Sequence, residues 1–359
     1  MKYLADAISG LARNISQVLI ADSQSEATPS QSVAPEASAS PIDPPIASDV
    51  HFTDSPCYTC NDPCTDHPQL PGYLAKNIDV ETPLHGTMKP YRQHILVRVG
   101  LGTKWAEKLG QTPNAFFTHV DDSISNLHPP FRSLITAFES STGDDQVEPE
   151  DTDCTQVLLF PQNIALDRVH VSDIGTLADC IIAYHKMMDQ SSDAGESGLP
   201  VEGESPEIML KLLPEAFAAK TLAKPWGHKT TVMVCTHKRR DKRCGVAGPL
   251  LMKEFNDAVK EFDMDADVGV YGVSHFGGHK FAGNIIIYRY NSGGQMVGDW
   301  YGRVRTCHAR PILETTVKQD KIFKELWRGR MDAIVRKDSK SSMVCKRFDL
   351  NLNLTNGYC

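Results

Sequence analysis

The sequence predicts an α/β protein of two domains with a tail at each end. The chain has 359 residues, and domains usually contain about 100–200 residues, which favours two of them. Short apolar runs typical of buried strands alternate with segments of helical periodicity. We therefore expect a disordered tail over residues 1–50, an N-terminal α/β domain over 51–224, a C-terminal α/β domain over 225–335 and a second tail over 336–359.

Composition excludes several classes of function. Asp and Glu number 45 against 37 Lys and Arg, a formal net charge of -8, so the chain is not expected to bind nucleic acid. No apolar run approaches the roughly 18–20 residues of a membrane span. Ten cysteines are too few for a disulfide-stapled scaffold, which indicates a reducing compartment. We expect the cytoplasm, with the mitochondrion as the alternative, because residues 1–21 have one apolar helical face but few cations.

In the N-terminal domain, apolar runs predict the strands and periodicity predicts the helices. The predicted strands are 94–99 and 157–160, and the predicted helices are 105–109 and 173–188. Two polar, acidic stretches, 139–153 and 189–207, are expected to be surface loops.

The C-terminal domain has a denser pattern of the same kind. Its predicted strands are 230–235, 267–273, 284–288 and 300–304, and its predicted helices are 250–262 and 310–317. Strand, helix, strand, strand and helix within about 90 residues imply a single α/β layer of thioredoxin-like size.

Two cysteines and two histidines stand at the ends of these predicted strands. Cys235 ends the first strand, and Cys244 follows after a polar loop. His275 and His279 follow the second strand and flank two glycines, which disfavour a helix and favour a tight loop. Loops at the same end of adjacent strands would bring all four side chains together. Zinc would accept this ligand set, and so would a [2Fe–2S] cluster; ordinary buried thiols and turn histidines are the alternative without a metal.

Four ordered motifs carry a resemblance to a known family. They occupy residues 234–249, 273–284, 300–304 and 326–329, and they resemble the sucrase/ferredoxin-like family over residues 51–335. The resemblance implies that the C-terminal domain is a thioredoxin-like ferredoxin domain, and the N-terminal domain is a candidate for the same fold. It further implies one [2Fe–2S] cluster, bound by Cys235, Cys244, His275 and His279.

Such a cluster implies a function in one-electron transfer or redox sensing rather than in hydrolysis. Neutral imidazole ligands in place of two thiolates raise the potential of a cluster, and a ring nitrogen can take up a proton when the electron arrives. We therefore expect proton-coupled transfer. The alternative is a zinc-stabilised interaction module without redox activity.

A basic loop, residues 238–243, lies between the two cysteines. It is a candidate docking surface for an acidic redox partner protein, because a cationic rim steers such a partner. An ordinary solvated loop is the alternative.

A second cysteine group lies near the start of the N-terminal domain. Cys57, Cys60, Cys64 and His67 fall within eleven residues, a density and ligand set that zinc accepts. A thiol oxidoreductase acting through Cys57 and Cys60, or unliganded thiols, are the alternatives.

Overall fold

The structure is a computed structural model, and it describes residues 50–54, 67–113, 115–127, 129–139, 153–193 and 206–331. The chain divides into two parts, residues 1–42 and residues 43–359, and every described residue lies in the second part. The strands are β1 (His51–Thr53), β2 (Gln93–Arg98), β3 (Ser133–Glu139), β4 (Cys154–Phe160), β5 (Ile164–His170), β6 (Ala223–Pro225), β7 (Thr230–Cys235), β8 (Val268–Val273), β9 (Ile285–Tyr290), β10 (Met296–Tyr301), β11 (Lys321–Phe323) and β12 (Trp327–Arg330). The α-helices are α1 (Gly72–Ala75), α2 (Phe116–Asn126), α3 (Ile174–Asp193), α4 (Pro206–Leu212), α5 (Glu215–Thr221), α6 (Lys242–Glu261) and α7 (Ala309–Ile312).

One mixed sheet of ten strands runs through the described residues, in the order β12-β10-β9-β7-β8-β3-β2-β4-β5-β6. The same arrangement of four strands and a helix occurs twice in it: the N-terminal unit contains β2 to β5 with α2, and the C-terminal unit contains β7 to β10 with α6. In each unit two parallel strands are joined through a helix, β2 to β3 through α2 and β7 to β8 through α6. An antiparallel pair then adds to the first strand of each unit, β4 and β5 in one and β9 and β10 in the other.

The two units meet edge to edge where β3 pairs with β8. This pairing is antiparallel and short, with Phe138 opposite Val273 and Glu139 opposite Gly272. The sheet is therefore continuous across the predicted boundary at residue 225, while the division into two domains stays a prediction. The mixed α/β architecture confirms the predicted fold class.

Several predicted elements differ from those in the structure. The helix predicted over 105–109 is wrong: short 3₁₀ turns at Gly102–Lys104 and Leu109–Gln111 stand there, and the helix follows at Phe116–Asn126. Helix α6 begins at Lys242 rather than at residue 250, because its capping residue stands within the basic segment. Strands β3 and β5 were not predicted, since their ends are polar and pairing across the sheet defines them.

The strands that lead to the candidate ligands, β7 and β8, lie in the core of the protein. Every residue of β7 and of β8 is buried, as expected for parallel strands covered on both faces. One of three apolar clusters contains residues of both units, among them Phe138, Phe160, Tyr288 and Trp300. Cys235 and Cys244 belong to this same cluster. Within the described residues, no helix is both long and apolar enough to cross a membrane.

Candidate metal centre

The candidate centre lies where β7 and β8 end side by side. The two strands are parallel and in register, with Cys235 opposite Val273, so the loops that follow them leave the same edge of the sheet. The loop after β8 is tied to the other unit, because Ser274 donates its backbone N–H to Ala137 O (2.8 Å) and its hydroxyl accepts from Ala137 N–H (2.9 Å). The sheet itself thus brings the two ligand-bearing loops together.

Helix α6 places the second cysteine. Asp241 caps the helix by accepting the backbone N–H of Arg243 at 2.8 Å, and Cys244 therefore falls in the first turn. Gly248, one turn further along the helix, lets α6 approach the end of β7, because a Cβ there would lie 2.4 Å from Cys235 O. Both thiols are buried as a result, Cys235 to 2% exposure and Cys244 to 1%.

Three potential ligands converge at this point. The Sγ atoms of Cys235 and Cys244 and a ring nitrogen of His275 all lie within 4.8 Å of one another. The Cys235 Sγ to His275 Nδ1 distance is 4.0 Å. In the described part of the chain this is the one group of three or more His, Cys, Asp or Glu ligand atoms close enough together to hold a metal ion.

His279, the fourth predicted ligand, stands beside this group rather than within it. Its Nδ1 lies 3.5 Å from His275 Nε2. His279 is exposed, whereas His275 is partly buried. Gly277 and Gly278 adopt positive φ angles of 116° and 75°, which L-residues with a side chain rarely adopt. These glycines fold the chain back so that both imidazoles lie on the same side.

The two thiols differ in their tendency to ionise. A hydrogen bond with the Cys244 thiol lowers the pKa of Cys235 to about 6, despite the opposing effect of burial. The same contact, together with burial, raises the pKa of Cys244. Burial lowers the pKa of His279, and the neighbouring His275 adds to that effect. A lowered pKa favours the neutral imidazole of His279, the form that binds metals.

Arg328, in β12, holds the loop from His275 to His279 (the histidine loop) through hydrogen bonds. It is 1% exposed, and its Nη1 donates to Gly277 O (3.1 Å) and to Asn284 Oδ1 (2.8 Å). Asn284 in turn donates Nδ2–H to Gly278 O at 2.9 Å. Burial lowers the pKa of Arg328 to about 10, and the nearby thiols of Cys235 and Cys244 oppose that change, so the guanidinium stays a cation beside two potential thiolates.

His237 is a second supporting residue that the sequence did not single out. It is buried, its Nε2 donates to Ala106 O (2.8 Å), and its Nδ1 accepts the backbone N–H of His275 (3.4 Å). Trp105 packs edge-on against its ring at 5.6 Å between centroids. The N-terminal unit therefore helps to hold a ligand of the C-terminal unit. Its position two residues after Cys235 was the one available signal.

The basic loop carries exposed cations at the rim of the centre. Lys238, Arg239, Arg240 and Lys242 are exposed, whereas Arg243 is held by Asp241 through bonds of 2.8 and 3.0 Å. Arg240 forms an ion pair with Glu107 at 3.6 Å.

The second predicted metal site lies almost wholly outside the described residues. Cys57, Cys60 and Cys64 are in that part of the chain. His67 is described, and its carbonyl accepts the side-chain N–H of Gln69 at 2.9 Å. A zinc site there stays a prediction.

Comparison with known proteins identifies related sequences. Residues 84–329 match the family described as sucrase/ferredoxin-like. "Altered inheritance of mitochondria protein 32" of Debaryomyces hansenii is 41% identical over 71% of this chain and 88% of its own length. The protein of the same name from Clavispora lusitaniae is 41% identical over 29% of this chain, and that match covers 36% of the relative. "Actin patches distal protein 1" of Saccharomyces cerevisiae is 29% identical over 44% of this chain and 45% of its own length. No solved structure matches.

These findings correct the predicted function. The sequence-based assignment was one-electron transfer or redox sensing through a [2Fe–2S] cluster held by two Cys and two His, with a zinc-stabilised interaction module as its alternative. The relatives are named for mitochondrial inheritance and actin patches, and neither name describes an electron carrier. The compact ligand group in the described residues contains Cys235, Cys244 and His275 without His279. As a statement of function, that assignment is wrong.

Proposed function

Because the chain belongs to the sucrase/ferredoxin-like family, we propose that it is a metal-binding protein whose functional centre is formed by Cys235, Cys244 and His275. The observation that carries this proposal is the convergence of their three ligand atoms within 4.8 Å. Two of the three side chains are buried thiols, and buried thiols at the end of a strand and the start of a helix are already held close together before a metal binds.

The chemistry of the donors supports a thiophilic metal. Thiolate and imidazole are ligands of zinc, of copper and of iron–sulfur clusters, whereas calcium and magnesium prefer oxygen. The Arg328 cation offsets the negative charge that two thiolates bring into a buried site, and charged groups are costly to bury without such compensation. The residues therefore fit a metal centre, and His279 is near enough to act as a further ligand.

The identity of the cofactor is a separate matter. The predicted [2Fe–2S] cluster stays a prediction for this centre, since iron in such clusters accepts both thiolate and imidazole. A single zinc ion would accept the same three donors with one position left for another ligand. Analysis of iron, acid-labile sulfide and zinc distinguishes the two.

The test is metal analysis of the full chain, purified without oxygen, beside matched cysteine variants. We expect a stoichiometric metal centre in the wild type and at least a tenfold loss in Cys244→Ser, because one of three ligands is removed. Cys180→Ser is the control, since Cys180 is also a buried free thiol but belongs to the core of the N-terminal unit. It should keep the metal.

A variant with Cys57, Cys60 and Cys64 all replaced by serine separates the two candidate sites. If the metal persists in this variant and is lost in Cys244→Ser, it belongs to the proposed centre. A wild-type protein that holds no metal after incubation with zinc, or with iron and sulfide, would overturn the proposal. So would a Cys244→Ser variant that holds as much metal as the wild type.

The exposed cations Lys238, Arg239, Arg240 and Lys242 support a docking surface for an acidic partner protein. They lie in the segment between Cys235 and Cys244 and are exposed, and Arg240 alone among them has an ion pair within the described residues, with Glu107 at 3.6 Å. Retention on a column of immobilised poly-glutamate would test this. Replacing the four cations with Gln should lower the salt concentration needed for elution, and unchanged elution would contradict the docking surface.

The relatives' names bear on where the protein acts. Two of them refer to mitochondria, which supports the mitochondrial alternative to the predicted cytoplasm. Subcellular fractionation of the full chain decides between them: recovery with the mitochondria would support the alternative, and recovery in the cytosol would support the original prediction.

A further inference from the structure

A cavity of about 520 Å³ lies beside helix α6 and is separate from the metal centre. Five parts of the chain line it: α6 itself, the segments 68–80 and 303–308, Ala282, and the pair Glu325 and Leu326. Most of its lining is aliphatic, including Leu70, Ile78, Leu250, Leu251 and Leu326. Ligand cavities commonly have volumes of about 300–1,000 Å³ and this apolar character.

One end of the cavity presents hydrogen-bond donors. His308 lines it and is 7% exposed. Its Nδ1 accepts the backbone N–H of Arg305 at 3.0 Å, so the proton of the neutral ring is on Nε2. Within the described residues the ring's hydrogen bond is the one at Nδ1, so Nε2–H is free to donate to a ligand. An acceptor in the cavity would satisfy it.

The charges around this end favour an anion. Arg305 is exposed and lines the cavity, and Arg303 lines it as well. Arg303 is already bound, because it donates to Asp79 O and Thr82 O at 2.6 Å each. Glu325 is the acidic residue of the lining, so cations outnumber anions by two to one. Arg305 is the cation left to meet a ligand.

We propose that this cavity binds a small amphipathic carboxylate, with its hydrocarbon part along α6 and its carboxylate between Arg305 and His308. A carboxylate has two oxygens, which match one imidazole donor and one guanidinium. Charge-assisted bonds of this kind are stronger than neutral ones. The aliphatic lining buries the hydrocarbon part, which supplies most of the affinity.

This inference does not rest on the metal centre. Helix α6 serves both sites, with Cys244 in its first turn facing the centre and Leu250 and Leu251 further along facing the cavity. A chain without metal should bind the carboxylate as well as one with metal, so the failure of one proposal leaves the other intact.

Isothermal titration calorimetry on the full chain tests the proposal with hexanoate, octanoate and decanoate, each kept below its micelle concentration. Burial of one methylene corresponds to roughly a fourfold gain in affinity, so each step of two carbons should tighten binding about fifteenfold. Octanol, which has the same chain without the charge, should bind more weakly than octanoate. Binding only above the micelle concentration, or equal affinity for octanol, would overturn the proposal.

Three variants locate the bound acid. Ala75→Trp places a large ring at the exposed mouth of the cavity and should weaken octanoate binding at least tenfold. Arg305→Gln should weaken it about threefold, because an exposed ion pair contributes little. Arg168→Gln is the control, an exposed arginine that does not line the cavity, and it should bind as the wild type does. Octanoate binding that is unchanged in Ala75→Trp would place the ligand elsewhere and contradict the proposal.

Discussion

The two units of the sheet share one strand order, yet they differ at the edge where their parallel strands end. In the C-terminal unit β7 ends at Cys235 and β8 is followed by His275. In the N-terminal unit the corresponding strands end at Arg98 and Glu139, and Glu139 accepts the backbone N–H of Gly102 at 2.5 Å. The strand ends of both units form an edge where two loops meet, and the residues placed at that edge decide what chemistry it can support.

The buried arginines of the two units give the largest expected contrast. Arg328 holds the histidine loop and also donates to Thr87 O and Thr87 Oγ1, at 2.9 and 3.0 Å. Arg328→Gln should lower the free energy of unfolding by about 3 kcal/mol, since several buried carbonyls lose a charged donor. It should also weaken metal retention at least tenfold, as loss of outer-shell contacts commonly does.

Arg92 is the matched residue of the N-terminal unit, 7% exposed and paired with Asp189 at 2.9 Å. Arg92→Gln should destabilise the fold in urea titrations without altering the amount of bound metal. Equal loss of metal in both variants would mean that Arg328 acts through general stability and not through the histidine loop.

Two helical glycines should respond in opposite directions to the same change. Gly248→Ala puts a methyl group 2.4 Å from Cys235 O, so α6 must shift, at a cost of about 2 kcal/mol. Gly175→Ala on α3 meets no atom within 4 Å and should stabilise by about 0.5 kcal/mol, because alanine restricts the unfolded chain. Urea unfolding of both variants measures the difference, and a neutral Gly248→Ala would contradict the tight contact of α6 with β7.

The buried histidine between the units predicts sensitivity to acid. His94 bonds Tyr288 Oη (2.6 Å) and Thr136 Oγ1 (2.8 Å), and burial lowers its pKa to about 3. In the unfolded chain its pKa is about 6.5, so between these values the unfolded state binds one more proton than the native state. The contribution of His94 to the free energy of unfolding is therefore fully present above pH 6.5. It falls as the pH decreases towards 3, by about 1.4 kcal/mol per pH unit.

Urea titrations at pH 7.5 and pH 5.0 measure this slope. His94→Gln should show a smaller loss between the two pH values than the wild type, whatever its stability at pH 7.5. Burial also lowers the pKa of His185, to about 3, and of His308, to about 4, so part of the slope remains in the variant. Identical slopes in variant and wild type would refute the assignment to His94.

The smallest expected contrast concerns the helix starts. Helix α6 is capped by the Asp241 side chain, whereas α2 begins after Ala115 without a side-chain cap. Asp241→Ala should cost about 1 kcal/mol, and Ala115→Asp should gain somewhat less. Thermal unfolding measures the stability of both variants. If the two variants unfold at the same temperature, capping does not distinguish the helices.

Much of this arrangement could be predicted because it depends on local sequence. Apolar runs marked β7 and β9 as strands, and residues at or just after the ends of predicted strands became the candidate ligands. The placement of Cys235, Cys244 and His275 at one edge then follows from the parallel pairing of β7 and β8.

The rest depends on contacts between distant parts of the chain. Thr87 and Arg328 are 241 residues apart, so nothing near Arg328 in the sequence indicates that it supports the histidine loop. The start of α6 was missed because a run of Lys and Arg is typical of a solvated loop, while one aspartate begins the helix there. The position of His279 depends on more than the strand, because two glycines with positive φ angles separate it from His275. Its part as a fourth ligand stays a prediction.

X-ray absorption at the edge of the bound metal tests the centre most directly, with the wild type measured beside His275→Ala and Cys244→Ser. We predict sulfur and imidazole scattering in the wild type, loss of the imidazole contribution in His275→Ala and a reduced sulfur coordination number in Cys244→Ser. Spectra that are unchanged in both variants would show that the metal lies elsewhere in the chain and would contradict the centre formed by Cys235, Cys244 and His275.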